Sequence, residues 1–373
     1  MTTPDAPLFV PVGTNATRLF GLDARTRACR LAERAGLACA DEAPPGRAVL
    51  LANLAYAWDP AWLKMLAGKP GTLIASEGRS VLAHVAAGAD AAAVTAAMQD
   101  QGSSAIDGMT QLDAATAEVA YADLRKRQRP FVLPLTGETA DRAERAAYDA
   151  SYKGVTDALT LYLWRRPAFY LTRWAAQAGL SPNAVTAVGA VLCVLAFFLF
   201  WNGQYWLGTV SGFAFMVLDT VDGKLARCTG TSSWWGNIFD HGIDLIHPPF
   251  WWWAWLHGLG AYGRPLETVY AANLLAVIVA GYIVQRAIEG LFMRRFKMHI
   301  HVWQQIDSQF RLITARRNPN MVILVLALLF QRPDVGIELL ALWTLVSLVF
   351  HAVRLAQAEA AYYRGEPVVT WLS

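Results

Sequence analysis

Charge is scarce in this sequence. Only 16% of its 373 residues are Asp, Glu, Lys or Arg, against roughly 25% in an ordinary soluble domain. So few charges cannot coat a water-soluble globule of this size, which argues against an ordinary cytosolic enzyme. Cysteine is also sparse. Cys29, Cys39, Cys193 and Cys228 form no C-x-x-C pair, so neither a disulfide scaffold nor a thiolate zinc cluster is expected. Residues 1–6 have neither a basic cluster nor an apolar run, and no signal peptide is expected there. A formal net charge of +3 points to no nucleic-acid partner. What the chain does have is apolar bulk: 55% hydrophobic residues, 15 of them Trp, and a mean hydropathy of +0.29. That composition excludes a disordered tail, a collagen and a coiled coil.

At roughly 150 residues per domain, two domains are expected, and the character of the chain changes near residue 140. Residues 1–135 read as a soluble α/β domain. The apolar runs 8–12, 48–52 and 71–75 are bounded by Pro and Gly as buried strands are, with helical stretches at 26–35 and 92–101 between them. Residues 136–180 read as a linker followed by an interfacial amphipathic helix: 136–150 is polar and helix-favouring, and 161–174 mixes aromatics with arginines. Residues 181–360 read as six transmembrane helices, and 361–373 as a tail. The apolar stretches are 185–201, 205–218, 245–258, 268–284, 320–331 and 336–353. Several are shorter than the ~20 residues that span a bilayer, but each extends through small or polar neighbours. A large buried helical core is the soluble alternative, and six such stretches in series disfavour it. The fold class expected is an α-helical integral membrane protein preceded by a soluble α/β domain.

Lys and Arg set the orientation. Arg165, Arg166 and Arg173 precede the first span, Lys224 and Arg227 follow the second, and Arg286, Arg294, Arg295, Lys297, Arg311, Arg316 and Arg317 separate the fourth from the fifth. The alternate loops carry only Arg264 and Arg332. Both termini are therefore expected on the cytoplasmic side of the inner membrane.

Four aspartates stand at the ends of apolar spans, where an ionisable group is costly and marks a functional site. Asp219 and Asp222 are three residues apart, Asp240 and Asp244 four apart, so each pair shares a helix face. If the two helices are antiparallel neighbours, four carboxylates converge. They cannot ionise together in a low dielectric without cations. All-oxygen donors favour Mg²⁺ or Mn²⁺, with Ca²⁺ also possible by donor type, and four carboxylates suffice for two ions of the kind used in phosphoryl chemistry. Gly223 and Gly236 lie between the pairs, and Arg227 offers a fork for a phosphate oxygen. The competing structural reading is four aspartates capping helices at the membrane surface. The competing functional reading is a cation-coupled transporter, disfavoured because all four acids lie near one membrane face.

Residues 219–244 read DTVDGKLARCTGTSSWWGNIFDHGID, and their pattern D-x₂-D-G-x₂-A-R-x₈-G-x₃-D-x₃-D resembles, at all eight fixed positions, the signature of the CDP-alcohol phosphotransferase family. The resemblance covers about residues 153–357 and includes LSPNAVT at 180–186. It implies six transmembrane helices, usually in a homodimer, and transfer of a phosphoryl-alcohol from a CDP-alcohol to an acceptor hydroxyl with release of CMP. It implies Asp219, Asp222, Asp240 and Asp244 as ligands of two divalent ions, Asp244 also serving as general base. Gly223, Ala226 and Arg227 match the cytidine diphosphate pocket, with Asn183 and Thr186 as further candidates. CDP-diacylglycerol is the expected donor, in phospholipid biosynthesis. Arg286, Arg311, Arg316, Arg317 and Arg354 are expected near the acceptor. They suit the phosphate of a polyol such as inositol phosphate or glycerol phosphate, although positive-inside topology would also place arginines there.

Residues 8–40, beginning LFVPVGTNATRLFGLDARTR, resemble the opening of sugar-phosphate nucleotidyltransferases. The match fails where chemistry would need it. The Gly-rich loop is reduced to Gly13 with Thr14, Thr17 and Arg18, and Asn53 stands where a metal-binding aspartate is expected after a strand. Asp59 is close by, but Pro60 and Trp62 mark a helix start. The expectation is a degenerate, inactive nucleotidyltransferase-like module, with Arg18, Arg25, Arg27 and Arg30 either on a nucleotide phosphate or on a solvated helix face. Fusion to such a module leaves CDP-inositol as an alternative donor.

Overall fold

A computed structural model describes residues 6–99, 106, 108–117, 119–121, 124–232 and 234–372, the side chains of 119–121, 235, 237, 240 and 241 excepted. The chain forms two compact units that interleave in sequence. The first comprises residues 1–153, 171–181 and 223–232, and the second 154–170, 182–222 and 233–373.

The first unit is built on five strands, β1 (Leu8–Val12), β2 (Val49–Asn53), β3 (Thr72–Ser76), β4 (Arg79–Val85) and β5 (Thr110–Asp113). Their order is β1-β2-β4-β3-β5. The β1–β2 and β3–β5 pairs are parallel, and β4 runs antiparallel to both its neighbours. The expected strands are present within a residue of their anticipated limits. Near-continuous burial of Val49, Leu50, Leu51 and Ala52 explains why they read as apolar runs rather than as an alternation. Helices α1 (Ala24–Arg34), α2 (Ala61–Ala67), α3 (Ala91–Gln99) and α4 (Ala140–Ala150) accompany the sheet. Asp23 caps α1 by accepting from Thr26 N at 2.8 Å, and these backbone bonds hold its carboxyl below the usual range. Helix α4 lies in the part read as a linker, yet Ala143 and Tyr148 are fully buried.

The cysteines do more than their scarcity suggests, without forming a disulfide scaffold. Cys29 and Cys39 form a disulfide, with their Cα atoms 5.5 Å apart. Spacing alone misses it because the chain turns back after α1, where Phe9 bridges Cys39 in a strand-like contact. Cys193 and Cys228 are free thiols.

Helix α5 (Arg165–Gln177) follows a π-helical turn at Leu159–Leu163. Tyr162, Tyr170 and Trp174 are exposed, an aromatic face of the kind expected of an interfacial helix. Each of the six apolar stretches then forms a helix: α6 (Pro182–Trp201), α7 (Tyr205–Thr229), α8 (Trp234–Ala261), α9 (Thr268–Phe296), α11 (Arg317–Leu329) and α12 (Pro333–Tyr363), with the short α10 (Gln305–Arg311) before α11. Among the described residues three of them, α6, α9 and α12, are long and apolar enough to cross a membrane. All six carry large apolar side chains more than half exposed: Val191, Val210, Ile246, Ile283, Leu329 and Val349. Apolar exposure on every helix suits lipid as the surrounding solvent.

Helix α6 packs on α8, α9 on α12, and α11 on α12. The α6–α8 crossing requires Gly258, since a Cβ there would lie 1.9 Å from Phe200 O. The indole of Trp251 donates to Cys193 O at 3.1 Å and that of Trp255 to Pro333 O at 3.0 Å. These tryptophans and Trp252 are core residues, while Trp253 is exposed. Pro248 and Pro249 interrupt the α8 ladder. Proline has no N–H, so Pro249 leaves Leu245 C=O without its helical donor. The Tyr282 hydroxyl of α9 supplies a bond at 3.1 Å.

Candidate active site

Asp219 and Asp222 stand on α7, Asp244 on α8. One guanidinium, that of Arg317 at the start of α11, donates to both Asp219 and Asp244. Its cation also lies 5.3 Å from the Phe215 ring. Asp222 is 4% exposed, and its Oδ2 accepts from Thr186 Oγ1 at 2.6 Å. Thr186, Gly189, Phe215, Asp219, Asp222 and Ile243 line one small crevice. The structure thus gathers three of the four aspartates and Thr186. Asp240 lies on α8, and its side chain is outside the described residues. The carboxylates on two helices are already arranged to share one positive charge, which is what convergent acids in a low dielectric require.

Further along α7, Arg227 lies over Gly223: a Cβ on Gly223 would come 3.0 Å from the guanidinium. Ala226, between them in sequence, is half-buried, and Asn183, at the start of α6, is exposed.

The five arginines expected near the acceptor fall into different settings. Arg286 and Arg316 both donate to Glu289, at 2.7 Å and 2.6 Å. Arg311 is buried and acts on Asp157. Burial pushes the Asp157 carboxyl up, but Arg311 with bonds from Asn318 and Thr160 outweighs it and holds the group below its ordinary value. Arg317 serves the aspartates. Arg354 forks onto Asp307 at 2.6 Å and 2.9 Å and also donates to Gln304.

Around Glu289 the structure adds residues that sequence spacing did not reveal. His301 Nε2 lies 3.3 Å from Glu289, and burial holds this imidazole well below its ordinary value, so it is neutral at pH 7. His351 is 1% exposed, and among the described residues neither of its ring nitrogens has a hydrogen-bond partner. Ligand atoms of Glu289, His301 and His351 all lie within 4.8 Å of one another, close enough for a metal. The flanking guanidiniums of Arg286 and Arg316 oppose a dication there and favour an anion. Only the Arg286–Glu289 spacing of three, a helical pair, could have signalled this cluster. The histidines are fifty positions apart.

In the first unit Asn15, Asn53 and Asp59 serve the backbone. Asn53 Nδ2 donates to Ser80 O and Met98 O, and its Oδ1 accepts from Ala55 N. Asn15, in the loop after β1, spans Leu54 O and Leu135 O, both at 2.9 Å. Asp59 is buried and accepts from Ala61 N at the start of α2. Arg25 pairs with Asp41, and Arg27 is buried.

Residues 180–354 match the family model described as CDP-alcohol phosphatidyltransferase. The chain is 33% identical to cholinephosphotransferase 1 of Gallus gallus over 136 residues, covering 32% of this chain and 38% of that one. It is 30% identical to phosphatidylinositol phosphate synthase of Mycolicibacterium smegmatis over 141 residues, 34% of this chain and 61% of that one. It is 23% identical to archaetidylinositol phosphate synthase of Pyrococcus horikoshii over 186 residues, 50% of this chain and 88% of that one. The match thus spans less than two thirds of the length of the first two relatives.

Proposed function

With residues 180–354 identified as a CDP-alcohol phosphatidyltransferase domain, we propose that this chain is an integral membrane transferase of phospholipid synthesis. It moves a phosphatidyl group from CDP-diacylglycerol to the hydroxyl of a phosphorylated polyol and releases CMP. Convergence of Asp219 and Asp244 on a single cationic group, with Asp222 lining the adjoining crevice, carries this reading.

The donor set fits a hard divalent ion. Three carboxylates border the site from two helices, and the bound guanidinium stands where positive charge is wanted. Asp219, Asp222, Asp240 and Asp244 would hold Mg²⁺ or Mn²⁺. When bound, the metal supplies neutralisation of the pyrophosphate and of the departing CMP. The side chains do the rest. Asp222 is oriented by the Thr186 hydroxyl. Asp244, at 41% more exposed than Asp219 or Asp222, takes the acceptor proton as the acceptor oxygen attacks phosphorus. Gly223 lets the nucleotide approach the helix backbone, and Arg227 above it offers a fork to a phosphate oxygen. Arg286 and Arg316 form the acceptor-phosphate pocket, with His301 and His351 beside them. The relatives named for phosphatidylinositol phosphate and archaetidylinositol phosphate synthesis support a phosphorylated polyol.

The full reading has six spans, a homodimer and both termini at the cytoplasmic face. The loop arginines and the outward apolar side chains of all six helices support the spans and their orientation. The α/β unit fused ahead of the membrane helices keeps CDP-inositol as a second donor to test.

The test is CMP release by the purified full chain with Mg²⁺ or Mn²⁺. CDP-diacylglycerol and CDP-inositol are compared as donors across inositol phosphate, glycerol phosphate, inositol, serine and no acceptor. Release that needs CDP-diacylglycerol and one phosphorylated polyol supports the reading. Release only with CDP-inositol, or only with a neutral acceptor, overturns the corresponding half of it. Cation flux in proteoliposomes without CMP release would point to transport instead.

A further inference from the structure

The cytoplasmic end of the signature helix has two faces. At 100° per residue, Asp219, Asp222, Gly223, Ala226 and Arg227 occupy one arc of about 140°. Lys224, Leu225 and Cys228 occupy the remaining side, and they are 3%, 1% and 2% exposed. Residues 223–232 belong to the same compact unit as the α/β sheet, and on that side Lys224 and Cys228 meet Ser151, Tyr152 and Arg27 of that unit. Lys224 Nζ donates to Ser151 O at 3.1 Å and sits 3.2 Å from the centre of the Tyr152 ring. The Tyr152 hydroxyl is bonded in turn to that of Tyr148 on α4 at 3.1 Å. Beyond the helix, Gly230 has φ +71°, and a Cβ there would lie 2.8 Å from Arg30 Cβ and 3.0 Å from its carbonyl carbon on α1.

These contacts are costly to arrange. A buried ammonium needs compensation, and here a carbonyl and an aromatic face provide it. Among the described residues of the α/β body, the candidate polar groups Asn15, Asn53 and Asp59 are bonded to its own backbone.

We propose that the α/β body is a positioning scaffold for the signature helix. Lys224 and Tyr152 are positioning residues, gripping the back of the turn whose front carries Gly223, Ala226 and Arg227. The inference rests on the transferase reading above for its effect on the reaction, but the grip itself can be tested without it.

The test uses the full chain in lipid nanodiscs, as wild type, Tyr152→Leu, Tyr152→Phe and Lys224→Met. Amide hydrogen exchange of residues 223–230 is measured beside kcat and KM for the CDP donor. Tyr152→Leu should speed exchange in 223–230 while leaving 205–215 unchanged, and should raise donor KM on the order of tenfold, with kcat changing less. Lys224→Met, which keeps chain length without the charge, should do the same. Tyr152→Phe keeps the ring and should stay near wild type in both readouts. Unchanged exchange in Lys224→Met and Tyr152→Leu would overturn the grip. Faster exchange with an unchanged donor KM would overturn the positioning role and leave a structural contact only. If Tyr152→Leu does not fold, Lys224→Met decides. If wild type releases no CMP with any donor, the transferase reading fails, and exchange alone judges the grip.

Discussion

Polar side chains do opposite jobs in the crevice on α7 and α8 and in the loops of the α/β sheet. In the sheet unit, Asn15 and Asn53 turn inward and bond to main-chain carbonyls, four between them. Both N–H groups of each amide are thereby used in completing the fold. On α7 and α8, by contrast, Asp219, Asp222 and Asp244 accept from side chains, among them a guanidinium and a hydroxyl. Such partners can exchange for a ligand without breaking a helix. The difference separates polar groups bound into a fold from polar groups placed to change partners.

The sharpest way to break this contrast is to remove acids from one region and add one to the other. Asp222→Asn and Asp244→Asn should each lower CMP release by roughly 10²–10⁴-fold, with helical content by circular dichroism unchanged. Asn53→Asp should leave release intact and instead lower thermal stability, by about 1–3 kcal/mol, because its new carboxylate oxygen would face Ser80 O and Met98 O. Activity gained by Asn53→Asp in nucleotidyl transfer would erase the distinction.

Arginines sharpen the same comparison. Arg354→Met strands Asp307, which is 2% exposed, and should cost about 3–5 kcal/mol, read as a fall in melting temperature. Arg286→Met leaves Glu289 its bond from Arg316 and should act on the acceptor instead, raising its KM roughly ten- to a hundredfold with donor KM unchanged. The reverse pattern would exchange their roles.

The smallest effect expected is one of pH. Asp157 has a lowered carboxyl pKa in the fold, so its contribution is present above the unfolded value and lost as pH falls through the folded one. The stability difference between wild type and Asp157→Asn should therefore stay constant from pH 8 to 5 and shrink only below about pH 4. A difference that changes between pH 8 and 6 would contradict that assignment.

Much of this was legible from residues because it depends on local spacing. Strands β1, β2 and β3 are short and largely apolar, with Gly or Pro nearby in sequence, and the pairs Asp219/Asp222 and Asp240/Asp244 obey helical periodicity. What could not be read depends on tertiary approach. Arg317 is grouped by sequence with the loop arginines, and only the packing of α11 turns it towards Asp219 and Asp244. His301 and His351 meet across fifty residues, and Cys29 reaches Cys39 because the chain reverses after α1. Residues 136–150 look like a linker because their charges are conspicuous, yet the alanines between those charges, with Tyr148, are what pack.

The most direct measurement follows the transferred group itself. Purified full chain is incubated with CDP-diacylglycerol, Mn²⁺ and radiolabelled inositol phosphate or glycerol phosphate, and the lipid is then extracted. The expected result is label entering the lipid phase in step with CMP, abolished by chelation and by Asp244→Asn. Label remaining in the aqueous phase with both acceptors, while the protein is folded and metal-loaded, would contradict transfer from CDP-diacylglycerol to a phosphorylated polyol at these aspartates.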